Sequence, residues 1–230
     1  MESSSNGVPL GLAHTPLRDQ VREEIRQRIA DGRLPPGSKM VERELAAELG
    51  VSRVPVREAL RMLETEGFVQ VVPRRGVVVR HLSRRDVEEL FDVREALEVL
   101  ATRRATERAT PDELAGIRRI IDEGDAALAR GDTPAGQQSN DAFHDALVSL
   151  AHNELLAGLL EPLQGRLHWL FRQNEDLAEL VHEHRELYEA IASGDPDRAG
   201  TVALRHVQVN RETAVRLLFG DESPTIEAHA

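Results

Sequence analysis

The run Val41-Glu-Arg-Glu-Leu-Ala-Ala-Glu-Leu-Gly50-Val-Ser52-Arg-Val-Pro-Val-Arg57-Glu-Ala-Leu-Arg61-Met-Leu-Glu-Thr-Glu-Gly67 holds two short helical segments parted by a glycine. Glu42 to Leu49 reads as a helix closed by Gly50. A second helix spans about Ser52 to Glu66, with Ser52 as its N-cap because a serine hydroxyl accepts from the first free amide hydrogens. Two short helices about a tight glycine turn predict a helix-turn-helix. On the second helix Arg53, Arg57 and Arg61 recur every four residues and share one sector, while Val56, Leu60 and Leu63 take another that faces the core. Such a helix can pack on its neighbours and push arginines into a DNA major groove, where the guanidinium fork suits guanine edges and phosphates. A row of arginines on an ordinary solvated helix is the plainer alternative.

Upstream, Leu17, Val21, Ile25 and Ile29 are spaced by four within Pro16 to Asp31, which predicts a further helix ending at Gly32. Pro35-Pro36-Gly37 then breaks the chain. Downstream, Phe68 to Val72 reads as a strand, Pro73-Arg74-Arg75-Gly76 as a turn and Val77 to Arg80 as a returning strand. The hairpin would be a wing. Its basic tip, Arg74-Arg75-Gly76, permits close backbone approach to DNA.

From Ser83 onward strand signals vanish. Ser83 caps a helix to about Arg108, and Thr110-Pro111-Asp112-Glu113 combines a capping box with proline at the first helical position. Further helices begin near Thr133-Pro134, Asn153 and Asp176, and the last follows Ser193-Gly194-Asp195-Pro196. The fold class is therefore mainly α: a winged helix-turn-helix with a small β-hairpin wing over 15–82, and an all-α antiparallel helical bundle over 83–219. Residues 1–14 and 220–230 read as flexible tails.

Charge divides along the same line. Residues 1–85 carry 15 Lys+Arg against 11 Asp+Glu, whereas 86–230 carry 14 against 29, so a basic part is joined to an acidic one. The basic part can approach phosphate while the acidic part stays off it. The absence of cysteine excludes a disulfide framework, a thiolate metal site and a thiol nucleophile. No apolar run approaches the roughly 20 residues that span a bilayer, and the first 14 residues lack a signal-peptide pattern, so no membrane association and a cytoplasmic location are expected.

Within the bundle, polar groups sit in apolar stripes. The third bundle helix turns inward Asn140, Phe143, His144, Leu147 and Leu150. The fifth turns inward Leu177, Leu180, Val181, His184, Leu187 and Ile191, with His182 pointing away. The last helix gives Val202, His206, Val209 and Thr213. One inward histidine is usually a satisfied core residue, but three burying together need a shared partner, which a divalent metal supplies. Imidazole nitrogen suits Zn, Ni, Cu or Fe. Arg94 also falls in a stripe, with Val87, Leu90, Phe91, Leu97 and Ala101, and needs an anion, either an internal Asp or Glu or the carboxylate of a bound effector.

Residues 16 to 80 resemble the winged helix of the GntR family of bacterial regulators, through the run from Val41 to Gly67 and the Pro73-Arg-Arg-Gly76 tip. The resemblance implies operator contacts by Arg43, Arg53 and Arg57, with Ser52 on a phosphate, Arg75 in the basic tip and Gly76 at the minor groove. One departure is Val41, where a serine often precedes Glu-Arg-Glu-Leu-Ala; the lost N-cap costs typically about 1 kcal/mol. Residues 86 to 218, with Asp92-Val-Arg-Glu-Ala-Leu-Glu98, Asn140-Asp-Ala-Phe-His144, His184-Arg-Glu-Leu-Tyr-Glu-Ala-Ile191 and His206, resemble the FCD effector domain of the FadR-type branch. That resemblance implies Asn140, His144, His184 and His206 as ligands of a divalent metal, zinc or nickel, and Arg94 as a clamp for a small carboxylate effector. Asn140 stands where the family has Asp or Asn, and brings a neutral oxygen.

The function expected is a ligand-responsive regulator, a repressor, that binds a pseudo-palindromic double-stranded operator as a homodimer. The competing readings are a metal-dependent enzyme on the three histidines and a sensor for which the ion is the signal. An enzyme would need a general base, and the same stripes offer no free carboxylate.

Overall fold

The computed structural model describes residues 15–171 and 177–220, with the side chains of 168–180 left out. The tails expected at 1–14 and beyond Gly220, and the helix start at Asp176, lie outside the described residues. The chain divides into two compact units, Met1–His81 and Leu82–Ala230.

In the first unit, α1 (Leu17–Ala30) buries Val21, Ile25 and Ile29, the predicted four-residue series. Helix α2 (Glu42–Glu48) buries Leu45 and Ala46, and its N-cap, Val41, makes no side-chain capping bond. After the turn at Gly50, which has a left-handed φ of 65°, α3 (Arg53–Thr65) buries Val56, Ala59, Leu60 and Leu63 against α1. Ser52 holds the N-cap position of α3 with extended backbone, but its hydroxyl makes no capping hydrogen bond, contrary to expectation. The third helical residue is Pro55, which has no N–H to give, so one of the two usual donors to a cap is missing.

The wing is an antiparallel pair, β1 (Val69–Val72) and β2 (Gly76–Val79), in the register Val69↔Val79 and Val72↔Gly76. Gly76 thus belongs to the strand and not to the turn. The loop is Pro73 to Arg75, and it closes because Arg74 and Gly76 both adopt positive φ, 64° and 84°. On its outer side β2 also meets the chain after Pro36: Met40 N donates to Val77 O and Gly37 N to Val79 O, at 2.8 and 2.9 Å.

The second unit is the helical bundle. Helix α4 (Arg84–Arg108) opens with a capping box from Ser83 and Asp86, and α5 (Pro111–Arg130) with one from Thr110 and Glu113, ending at Gly131 in the left-handed region. Helix α6 (Thr133–Leu150) is capped by Asp132, and α7 (Glu154–Phe171) starts where Asn153 accepts from Leu156 N. Helices α8 (Leu177–Ala192) and α9 (Pro196–Phe219) complete the described bundle, with Asp195 capping α9. A core of Ile117, Ile121, Phe143, Leu147, Leu187 and Ile191 ties α5, α6 and α8 together, while Val87, Phe91, Val207 and Ala214 seal α4 to α9.

The inward face of α9 differs from the one predicted. Ala199, Gly200, Ala203, His206, Val207, Asn210 and Ala214 are buried, and Val202, Val209 and Thr213 are only half-buried. Size was a poor guide here, because the residues against a closely packed neighbour are small. A β-carbon at Gly200 would come within 2.6 Å of Arg103 Nε on α4, so a larger residue there would displace that side chain. Among the described residues no helix is long and apolar enough to cross a membrane.

Candidate nucleic-acid interface and metal centre

Arg53, Arg57 and Arg61 are exposed on α3, in a sector separate from its buried Val56, Ala59, Leu60 and Leu63. Two of them are not loose. Arg57 donates through Nε to Glu42 Oε1 at 3.0 Å and through Nη2 to Glu42 Oε2 at 2.9 Å, and Arg53 Nη2 reaches the same Oε2 at 3.3 Å. Hydrogen bonding from Arg57 holds the Glu42 carboxyl below the usual carboxylate range, and the same bonds raise Arg57. Glu42 went unnoticed in the sequence because its partners lie 11 and 15 residues away, across the helix-turn-helix turn. Arg43, one residue on in α2, is 81% exposed, with the Glu44 carboxylate 3.9 Å distant. Ser52 is exposed just before α3, and Arg75 and Gly76 are exposed at the end of the hairpin. Of the six residues expected to touch DNA, then, the structure joins Arg53 and Arg57 through one carboxylate, and leaves Arg43, Ser52, Arg75 and Gly76 open to solvent.

In the bundle, His144 from α6, His184 from α8 and His206 from α9 come together, each offering a ring nitrogen within 4.8 Å of the others. Their ring centroids are 5.0 to 5.6 Å apart. Phe143 stacks on His184 at 4.0 Å between centroids and fixes its plane. His184 is fully enclosed and its Nε2 has no hydrogen-bond partner. Burial above all, with the neighbouring His206 and Arg94, holds its pKa well below the ordinary imidazole value, so the ring is neutral. His206 Nδ1 is 2.8 Å from Glu183 Oε2, which orients that ring, while the Asn210 amide Nδ2 lies 3.1 Å from its Nε2. Asn210 donates its amide to the His206 carbonyl at 2.8 Å.

The donor set fits a divalent transition metal. A neutral imidazole with an orphaned buried nitrogen is a ligand without a charge to satisfy, and His206 has the carboxylate partner that metal-bound histidines commonly carry. A tetrahedral ion with N at about 2.0–2.1 Å would need ligand atoms about 3.3 Å from one another, so rings whose nitrogens lie within 4.8 Å would have to close inward by up to about 1.5 Å. Asn140 sits one turn before His144 and shares with His184 a cavity of about 10 Å³; its amide Nδ2 is turned to Asp141 Oδ1 at 3.2 Å, so its oxygen is the atom it would offer to an ion. His182, expected to point away, is exposed.

Two carboxylates that the sequence reading did not single out lie beside the histidines. Glu183 lies against His206, and Glu98 Oε1 is 3.8 Å from His206 Nε2. Neither is a free base: Glu98, itself buried, takes Arg94 Nε at 2.7 Å and Nη2 at 3.4 Å. Of the two anions considered for Arg94, the structure contains the internal one. Glu98 was legible one turn after Arg94 on the same face, whereas Glu183, next to His184 in sequence, is aimed at the cluster by the α8–α9 packing.

Known proteins share this order of two domains. Residues 17–79 match the family of bacterial regulatory proteins called gntR, and residues 89–209 match the FCD domain. An HTH-type transcriptional regulator of Bacillus subtilis, YdhC, is 32% identical over 84% of this chain and 88% of its own. A probable D-xylose utilization operon transcriptional repressor of Paenarthrobacter nicotinovorans is 31% identical over 85% of this chain and 88% of its own. The solved structure of Escherichia coli McbR/YncC, at 25% identity, superposes with a TM-score of 0.77 over 88% of this chain and 99% of that one. These relatives are transcriptional regulators and not enzymes, and regulators of the family bind operator DNA and commonly act as dimers. The chain belongs to the GntR family of bacterial transcriptional regulators, in the branch whose second domain is FCD.

Proposed function

We propose that the protein is a cytoplasmic homodimeric repressor whose hold on a pseudo-palindromic operator is set by a small carboxylate bound beside a zinc or nickel ion in the bundle. One observation carries the reading: three imidazoles from three helices converge in the interior with the His184 Nε2 orphaned, an arrangement that is costly unless something shared fills it. His144, His184 and His206 hold the ion, the Asn140 oxygen completes the set, and the ion offers an acid its positive charge. Arg94 then serves as clamp by sharing its guanidinium between Glu98 and the acid. Arg43, Ser52, Arg53, Arg57 and the wing tip at Arg75 and Gly76 bind the operator. Repression is supported by the repressor among the relatives. Association of two copies is supported by Val93 and Leu100 on α4 and Leu155 and Leu159 on α7, exposed apolar residues on two helices that pack together.

A second reading, in which the ion alone is the signal, is favoured by the cavity beside Asn140 and His184, which at about 10 Å³ admits no organic acid as it stands. One experiment separates the two. Elemental analysis of the purified protein, with titration of its upstream DNA against a panel of small carboxylic acids, should give near one metal per subunit and an acid that releases DNA; His184→Ala should lose the metal and keep the wing unit folded. Release by metal addition or chelation with no acid effect would establish the second reading. Stoichiometric metal retained by His184→Ala would refute the ligand set.

A further inference from the structure

A carboxylate on a face that must meet phosphates weakens attraction to DNA, so its presence there asks for a reason. Glu42 is the first residue of α2, its side chain is 27% exposed, and it binds Arg53 and Arg57, two of the arginines expected to contact the operator. The way it binds them matters. It takes the Nε edge of Arg57, using the hydrogen on Nε and one on Nη2. The two hydrogens on Nη1 and the other on Nη2 bond nothing else among the described residues. Those remaining hydrogens form the end-on fork, the edge of a guanidinium that pairs with O6 and N7 of guanine.

We infer that Glu42 is a positioning residue for base reading: it grips the side edge of Arg57, presents the end-on fork to the major groove, and tethers Arg53 beside it. The inference rests on Arg57 as an operator contact and adds the residue that aims it. An arginine on solvent samples many rotamers and finds phosphates as readily as bases. One already held in a fixed plane loses less freedom on meeting the right base and is less able to follow a phosphate. Glu42 also cancels one of the two positive charges beside it, which lowers affinity for any DNA sequence alike. The first effect favours discrimination, while the second lowers affinity for every sequence and leaves the ratio between sequences unchanged.

The test uses the full-length protein. A duplex is selected from a randomised pool with the unaltered protein, and Kd is measured on that duplex and on the unselected pool. Glu42→Gln should bind the selected duplex roughly tenfold more weakly and the pool as tightly or more so, with a steeper salt dependence on the pool. Glu42→Asp keeps the charge and the favourable first-turn position in α2 but is one methylene short; it should lose the selected duplex while keeping the original salt dependence. Adding Glu42→Gln to Arg57→Ala should cost little beyond Arg57→Ala alone, since the two act through one contact. A purely structural role would instead weaken both duplexes by the same factor, or add in full to Arg57→Ala, and either result overturns the inference. If Arg57→Ala keeps the preference for the selected duplex, the role of Arg57 itself is lost; if that preference collapses and Glu42→Gln retains it, only the part assigned to Glu42 falls.

Discussion

The winged helix and the bundle arrange polar groups in opposite ways. In the first unit the functional side chains stand on the outside: Arg53, Arg57 and Glu42 exchange hydrogen bonds in contact with water, where each ion pair contributes little to stability and is easily re-formed with another partner. In the second, His184, His206, Arg94, Glu98 and Asn210 are buried, and each must be satisfied where it lies. A surface built of charged groups can exchange its partners for phosphates and bases without disturbing the fold. A buried polar cluster cannot change partners without moving the helices that carry it, which is what a ligand-operated device requires. The proposed binding and sensing roles therefore fall to the units suited to them.

The largest effect that should separate the two units is a core truncation. Phe143 is fully buried, belongs to the core of the bundle and stacks on His184. Phe143→Ala should destabilise the bundle by about 3–5 kcal/mol and loosen the histidine site, without weakening the intrinsic fold of the winged helix. Denaturant unfolding followed by hydrogen exchange would resolve the units. Equal loss of protection in both would mean that they unfold as one, and the contrast drawn above would fail.

Next in size is the operator contact. Arg57→Ala should weaken operator binding by about 1–3 kcal/mol if the fork reads a base, and leave the metal content and bundle stability unchanged. Fluorescence anisotropy with a labelled operator measures the first, and elemental analysis the second. Unchanged affinity would remove Arg57 from the contact set.

Acid should act on the bundle alone. The His184 pKa in the folded, metal-free protein lies well below its ordinary value of 6.5, so the unfolded chain binds a proton that the folded one refuses. The stability this group contributes is whole above pH about 6.5 and falls as pH drops below it, until the folded pKa is passed. The slope approaches about 1.4 kcal/mol per pH unit. Thermal melts of chelated protein from pH 7.5 to 5 should show it, and His184→Phe should flatten it. A bundle whose stability holds level across that range would show that His184 is not the neutral, enclosed group described.

How far the sequence disclosed all this varied with the distance over which each interaction acts. Helix periodicity and caps are local, so α1, the helix-turn-helix pair, the cap at Ser83 and the box at Thr110 could be read from neighbouring residues. The three histidines were legible because each sits in an otherwise apolar stripe. The inward face of α9 was misread, since Ala199, Gly200 and Ala203 pack by being small and give no hydrophobic peak. Glu42 and Glu183 escaped notice because their roles arise only when residues 15 and 23 positions apart are brought together.

The smallest effect is also local, and it tests whether the winged helix can gain stability without any change in what it binds. Helix α2 begins after Val41, whose carbonyl accepts from Glu44 N and Leu45 N but whose side chain offers no acceptor to the first turn. Glu44 stands at the third helical position, so Val41→Ser would supply both halves of a capping box, with the hydroxyl accepting from Glu44 N and the carboxylate from the N–H of residue 41. The expected gain is about 1 kcal/mol, or roughly 4–8 °C in the Tm of a domain this small. Because the cap points along the helix axis and not toward the Arg57 fork, affinity for operator should be unchanged. A gain in Tm with altered operator affinity would mean that the start of α2 sets the aim of Glu42, and that stability and recognition are not separable even in the outward-facing unit.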